Sequence, residues 1–576
     1  LIRKMFLYLK PYWILAILAP TLMLLEVVMD LFQPILMSRI IDFGVSTGDV
    51  GFIIESGLTM LSIALIGAVG GLGCVVLSNI VAQSFAADLR IDIFKKIQSF
   101  SFTELDKFKT GSLITRLTND VAQVQIVVAL MMRLMIRAPL LFLGGLTMAF
   151  TINVRMALVL VATIPLLALV LVVLIKKGFV LFGLAQKKLD RVNVVLQENL
   201  AGIRVVKAFD RADYEQERFN GAVNDLMDNM IKVARISSFA MPMVMFIMNL
   251  GVIAVIWVGG IELSTGNMEI GQIMAFITYA GLILFSMAMM AMVLMFISRA
   301  KASADRIVEV LIVDPQIKDN YDKYSSRPLD SSITFDDVSF GYGGGTHSLA
   351  LKNVTFFAQS GQTIAILGIT GSGKSSLISL IPRLYDVTKG SILLGGKDIR
   401  TIPINELRNM IGMVLQDTVI LSGSIEDNIR LGKEEATAEE IVEAAKIAQI
   451  HDFISDLPEG YMTVLGQRGV NLSGGQKQRI DIARALVKKP AVLIFDDSTS
   501  AVDAETERKI LDAIKQFKKN TTLIIVSQKI TSVMDADKII LMDSGQILTS
   551  GTHHYLLANS AVYQELYRLQ TEEEAS

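Results

Sequence analysis

The chemistry in this chain is concentrated in nine residues, Gly368-Ile-Thr-Gly-Ser-Gly-Lys-Ser-Ser376. Glycines at 368, 371 and 373 let backbone N–H groups turn inward around phosphate oxygens, and a helix starting behind them adds the positive end of its dipole. Lys374 is placed to reach the β- and γ-phosphates of a nucleoside triphosphate, and the Ser375 hydroxyl to hold Mg²⁺. Such a loop works only between a buried strand and a helix. Thr363–Leu367 before it is an apolar run, and Leu377-Ile-Ser-Leu-Ile381 after it is helix-compatible, so that context is met. The loop announces a nucleotide. It leaves open what the energy is used for.

The elements around it divide the chain in two. A chain of 576 residues is too long for one core. Its hydrophobic fraction is 52% with only 19% charged residues, which few soluble enzymes share, and a net charge of −2 argues against general nucleic-acid binding. Cys74 is the single cysteine, so a disulfide framework and a cysteine metal site are excluded. The N-terminal Leu1–Met5 opens an apolar stretch without a small-residue cleavage site and reads as the start of a membrane segment, not a removed signal.

Six apolar stretches of near-spanning length precede residue 300: 13–41, 58–82, 121–150, 156–175, 239–261 and 270–297. Prolines 20, 34, 139, 165 and 242 lie within them and predict kinks or local unwinding, not breaks. The loops 42–56 and 262–269 hold no Lys or Arg, whereas the connections after spans two, four and six are rich in both. The positive-inside rule then puts both termini and both long connections in the cytoplasm, and the expected location of such a multi-pass chain is the inner (plasma) membrane. Those connections are helix-compatible, with tips at 101–108 and 205–212. Phe102, Phe108 and Phe209 at the tips predict docking on a cytoplasmic domain, since aromatic rings there would otherwise stay wet. Glu26 and Asp30 share one helix face within span one. They fit either a cation-attracting wall or a structural pair with Arg39 or another subunit. The 28 Met residues gather at 131–135, 241–248 and 287–295. Flexible thioethers there suit varied apolar ligands, or simply pack and face lipid.

After a hydrophilic link at 314–328 comes the alternating strand Ile333–Phe340, then Gly341-Tyr-Gly343. Beyond the phosphate loop lie Met413-Val-Leu-Gln-Asp417, Asn471-Leu-Ser-Gly-Gly-Gln476 opening a helix, Ala491-Val-Leu-Ile-Phe-Asp496, Ser500-Ala-Val-Asp503 and the buried strand Thr522–Val526. In this order and spacing the set resembles the nucleotide-binding domain of ABC transporters. With six preceding spans the whole chain resembles a half-size ABC exporter. The resemblance implies a multidomain membrane protein. A six-helix transmembrane domain (1–313) precedes an α/β P-loop domain (329–576) with an antiparallel β subdomain and an α-helical subdomain.

Roles follow from the resemblance position by position. Tyr342 stacks on adenine. Gly368, Gly371, Ser372, Gly373, Lys374, Ser375 and Ser376 hold the phosphates of ATP. Ser375, Gln416 and Asp496 hold Mg²⁺, directly or through water, and Gln416 also senses the docked membrane loops. Ser473, Gly474, Gly475 and Gln476 contact ATP held by an opposite subunit, which implies a head-to-tail dimer, and Asp503 joins the nucleotide-binding set. A helix start with free N–H groups at Ser473 is an anion site on chemical grounds alone.

Two positions depart from the family pattern. Asp497 stands where a glutamate polarises the attacking water, and Gln528 where a histidine contacts the γ-phosphate. Aspartate is shorter by about 1.5 Å of chain. A general base works within about 2.6–3.2 Å of its proton donor, so losing it costs roughly 10²–10⁴ in rate. Gln528 can donate a hydrogen bond but carries no charge and shuttles no proton. The expectation is a degenerate site in one subunit of a heterodimeric exporter of hydrophobic or amphipathic small molecules, working by alternating access in the bilayer. Its partner would be a homologous half-transporter with the glutamate and histidine intact. Other readings are a lipid or peptide exporter, a slow homodimer, and an ATP-gated channel or regulatory subunit. Six spans exclude a soluble DNA-repair ATPase.

Overall fold

The computed structural model describes residues 5, 7–318, 330–344, 349–466, 469–497, 502–517 and 521–575. Most of the expected link, residues 319–328, the opening Leu1–Lys4 and Ser500 and Ala501 of the stretch before Asp503 lie outside them. The chain forms two compact units, one of residues 1–98 and 110–313, the other of 99–109 and 314–576.

The first unit is helical, and six of its helical segments are long and apolar enough to cross a membrane. Several continue far past an apolar core. Val50–Gln98 runs 49 residues and Ala212–Ser264 runs 53. At 1.5 Å per residue these are over 70 Å long, against a hydrocarbon layer of about 30 Å. The five prolines all sit inside helices that carry on through them. Between spans three and four the turn reduces to Asn153, whose side chain accepts from the N–H groups of Arg155 and Met156 and so caps the following helix.

Two features of the first unit differ from the sequence expectation. Span three is not continuous: it breaks at Arg133 (φ −110°, ψ −80°), between Val121–Met132 and Leu134–Ile152. The Cys74 thiol, 3.8 Å from the Met132 carbonyl, takes up one of the freed acceptors. The partner of Glu26 and Asp30 is not Arg39 but Arg137 on span three. Its guanidinium bonds Glu26 and lies 3.0 Å from Asp30. Arg137 thus neutralises one of the two charges, so a bare cation-attracting wall does not form here. Gly71 makes room for the arrangement. A Cβ there would come within 2.6 Å of a Glu26 carboxylate oxygen.

The second unit is built on a six-stranded sheet. Its spatial order is Gln546–Gly551, Lys538–Asp543, Thr363–Leu367, Thr522–Ser527, Val492–Asp496 and Ile411–Val414. All neighbours are parallel except the first pair. Central parallel strands are covered on both faces, which explains their unbroken apolar runs. The period of two still assigns each residue to a side. Ala365, Leu493, Phe495 and Ile525 join a core with the helices around 441–454 and 480–487. Ile364, Ile366, Ile494 and Val526 join another with Leu377, Ile378 and the strand Ile333–Phe340. That strand belongs to a four-stranded antiparallel sheet with Leu351–Ala358, Lys389–Leu394 and Lys397–Asp398. The expected fold class, membrane helices followed by an α/β nucleotide domain with an antiparallel β subdomain, is the one observed.

Candidate functional site

Three central strands deliver the site. Thr363–Leu367 ends at the glycine-rich loop, Val492–Asp496 ends at a carboxylate, and Thr522–Ser527 ends just before Gln528. Their shared C-terminal edge is where ligands bind in open α/β sheets. The loop needs its glycines, and at Gly368 a Cβ would run into the Met542 carbonyl oxygen. Gly371 and Gly373 have φ of 86° and 99°, and a Cβ on Gly373 would lie 2.9 Å from the Ala350 carbonyl oxygen. Lys374 opens the helix Lys374–Leu380 and is buried. Its Nζ donates to the carbonyls of Gly368 (2.7 Å) and Ile369 (2.8 Å), with Ser372 Oγ at 3.5 Å. Burial holds its ammonium pKa below the usual lysine range, against the pull of Asp497 and Asp496. Burial likewise raises Asp496, although Ser375 Oγ donates to it at 3.3 Å. A hydroxyl and a carboxylate this close form a fitting oxygen pair for Mg²⁺, which keeps its remaining positions for water and phosphate.

Asp497 and Gln528, the two departures from pattern, meet. The Gln528 amide donates to Asp497 Oδ2 at 3.3 Å, and its carbonyl faces Thr370 Oγ1 at 3.5 Å. Asp497 sits at φ 47°, a left-handed conformation that aspartate tolerates, with its N–H held by the Val526 carbonyl at 3.0 Å. Tyr342 is half exposed, with its hydroxyl 2.8 Å from Ser376 Oγ. An open cleft brings Tyr342, Gly371, Gly373, Lys374, Ser375, Ser376, Gln416, Asp496, Asp497 and Gln528 to one surface. Gly368 and Ser372 form its floor through the Lys374 bonds.

The stretch 473–476 lies elsewhere. Ser473 caps the helix Gly474–Leu486: its Oγ accepts from the Gln476 N–H while the Gln476 side chain accepts from the Ser473 N–H at 2.8 Å. That reciprocal box occupies the Gln476 side chain. Ser473, Gly474 and Gly475 line a second open cleft with Arg479 and Asp503. Asp503 accepts from the Thr506 N–H, and that bond lowers its pKa. Among the described residues none lines both clefts.

The first tip belongs to the second unit. Ser101 and Glu104 cap the short helix Phe102–Lys107, and the buried Glu104 also accepts from the Gln316 N–H at 3.2 Å. Phe102 packs on Tyr385 with ring centroids 5.9 Å apart, and the Tyr385 hydroxyl donates to Asp106 at 2.8 Å. Burial, then that carboxylate, pushes the phenol up. Tyr385 also stands edge-on to Tyr342 at 5.4 Å. One residue thus touches both the tip and the ring flanking the cleft. No sequence motif marked Tyr385, while Thr370 and Asp106 lie within the phosphate loop and the first tip without a role of their own. Of the other tip aromatics, Phe108 stacks on Phe100, while Phe209 is 74% exposed. Replacing Tyr385 by leucine removes the edge contact on Tyr342 and is expected to weaken ATP binding about fivefold, read by titration with a fluorescent ATP analogue. Unchanged affinity would show that Tyr342 needs no support from Tyr385.

Comparison with known proteins agrees with this geometry. Residues 16–287 match the ABC transporter transmembrane region, and residues 351–500 match the ABC transporter family. An uncharacterized ABC transporter ATP-binding protein of Bacillus subtilis, YfiB, is 44% identical over 100% of this chain and 99% of its own length. An ATP-dependent lipid A-core flippase of Desulfotalea psychrophila is 37% identical over 85% of each chain. Among solved structures, a bacterial Atm1-family ABC exporter with ATP bound superposes with a TM-score of 0.80, at 25% identity over 98% of both chains.

Proposed function

The chain belongs to the ABC transporters, as an integral membrane half-transporter with the fold of an ATP-driven exporter, and from that premise we propose that it is the degenerate-site subunit of a heterodimer. One observation carries this reading: Asp497 and Gln528 hydrogen-bond to each other. The carboxylate that would polarise water spends an oxygen on a neutral amide, one methylene short of the usual reach. The amide cannot take up a proton. The phosphate-binding parts are all kept, so the site holds Mg·ATP and turns it over slowly.

In this proposal the membrane domain spans 1–313 and the cassette 329–576, with both termini in the cytoplasm and the spans in the plasma membrane. Tyr342 stacks on adenine, Gly368 to Ser376 hold the phosphates, and Ser375, Gln416 and Asp496 hold Mg²⁺. Ser473, Gly474, Gly475 and Gln476, with Asp503, close over ATP on the partner, whose glutamate and histidine do the hydrolysis. The two clefts with separate linings support this division. ATP draws the two cassettes together, the tips at 101–108 and 205–212 pass that movement to the spans, and hydrolysis at the partner's site resets them. The exposed Phe209 is available to the partner's cassette.

The cargo is a hydrophobic or amphipathic molecule. The Met-rich spans support the class, and the flippase relative favours a lipid as the second reading. The test is the ATPase rate of this chain alone and mixed with candidate partners. The expected result is slow turnover alone and rapid turnover in one mixture. Rapid turnover by the chain alone, abolished by Lys374→Ala, would overturn the heterodimer.

A further inference from the structure

The helix Ala561–Ala575, in a region that carries no motif, contacts the loop that follows Ser527. Its Tyr563 is fully buried, with its hydroxyl 2.8 Å from His553 Nδ1, so the helix is anchored in the core. Further along the helix, Gln570 meets the loop that carries Gln528. The Gln570 side-chain N–H donates to the Gln528 carbonyl at 2.8 Å, and its side-chain oxygen accepts from the Ile530 N–H at 2.8 Å. Both ends of one amide are therefore used, one on each side of Lys529. Within the loop Ser527 Oγ accepts from the Lys529 N–H at 2.9 Å. Beside the clamp lies an open pocket lined by Gly368, Ile369, Gln528, Ile530, Leu566 and Gln570. The two bonds of Gln570 hold the backbone on either side of Lys529. From that backbone the Gln528 amide reaches Asp497 and Thr370.

We propose that Gln570 is a positioning residue: by clamping the backbone on both sides of Lys529 it fixes the Gln528 side chain between Asp497 and the phosphate loop, and so sets how long this chain's site retains ATP. The retention step rests on the reading of the site given above. The clamp itself does not.

Two variants of the full-length chain test it. Gln570→Ala removes both bonds. Gln570→Glu keeps the acceptor for the Ile530 N–H and loses the donor to the Gln528 carbonyl, while remaining a good helix residue. Release of a fluorescent ATP analogue from the purified, assembled transporter is measured by chase with unlabelled ATP. Dissociation from this chain's site is expected to quicken about tenfold in Gln570→Ala and at least threefold in Gln570→Glu, with the unfolding temperature of Gln570→Glu unchanged. Gln570→Glu releasing ATP at the wild-type rate would overturn the proposal, since a role confined to helix packing predicts that outcome. Hydrogen exchange at Ile530 gives a readout independent of nucleotide. Protection there is expected to fall in Gln570→Ala and persist in Gln570→Glu, and protection unchanged in Gln570→Ala would overturn the clamp. Slow release that survives Lys374→Ala would instead count against the ATP-retaining site and leave the clamp to be judged by exchange alone.

Discussion

Ser473→Arg in this chain is expected to reduce ATP turnover of the assembled transporter by roughly 10² or more, while Lys374→Ala leaves most of it. The asymmetry follows from where the two residues act. Ser473 caps a helix start with free N–H groups, which in the proposed heterodimer faces the partner's ATP. An arginine there removes the cap, fills the cleft and displaces the donors from the γ-phosphate. Losing one well-placed donor at a developing charge typically costs about 10²–10³ in rate. On the proposed division of labour, Lys374 serves only the slow site, where its loss forfeits ATP retention without touching the faster chemistry. Steady-state phosphate release from both assemblies decides the matter. Equal losses would mean that the two sites contribute equally, and the division of labour would be wrong.

The second expected result uses the first as its background. In a transporter silenced by Ser473→Arg, adding Asp497→Glu with Gln528→His should restore turnover by about 10². The methylene returns about 1.5 Å of reach to the carboxylate. The imidazole can carry charge and a proton where an amide cannot. The two changes should act as a unit, because residues 497 and 528 touch and coupled positions are not additive. Each single change is expected to recover much less than the pair. Turnover that stays silent in the double variant would show that something other than these two residues limits the site.

Much of this site is legible in the chain's own spacing. The phosphate loop is local: its strand, glycines and helix follow one another, so the order of residues is enough to find it. The same holds for the Ser473–Gln476 box and for Asp496 at the end of an apolar strand. Six spans follow from hydropathy because a bilayer demands length and little else. What the sequence hides is contact across distance. Nothing near Glu26 points to a guanidinium 111 residues later, and a nearer arginine, Arg39, is the natural but incorrect choice. The break at Arg133 lies in an apolar run whose composition does not change. Tyr385 and Gln570 belong to no motif, and each matters only through what folding brings beside it.

The Glu26–Asp30–Arg137 arrangement also bears on how the chain is made. Span one carries two carboxylates, each costing about 2.5–3.5 kcal/mol at the centre of an isolated inserting helix. Their counter-charge is encoded 107 residues after Asp30. At 5–20 residues per second the ribosome needs roughly 5–20 s to deliver it. During that interval the first two spans are in the nascent chain without the arginine, and the carboxylates have only water or the insertion machinery as company. The first three spans are therefore a single unit of biogenesis: span one becomes fully at home in lipid only when span three arrives beside it.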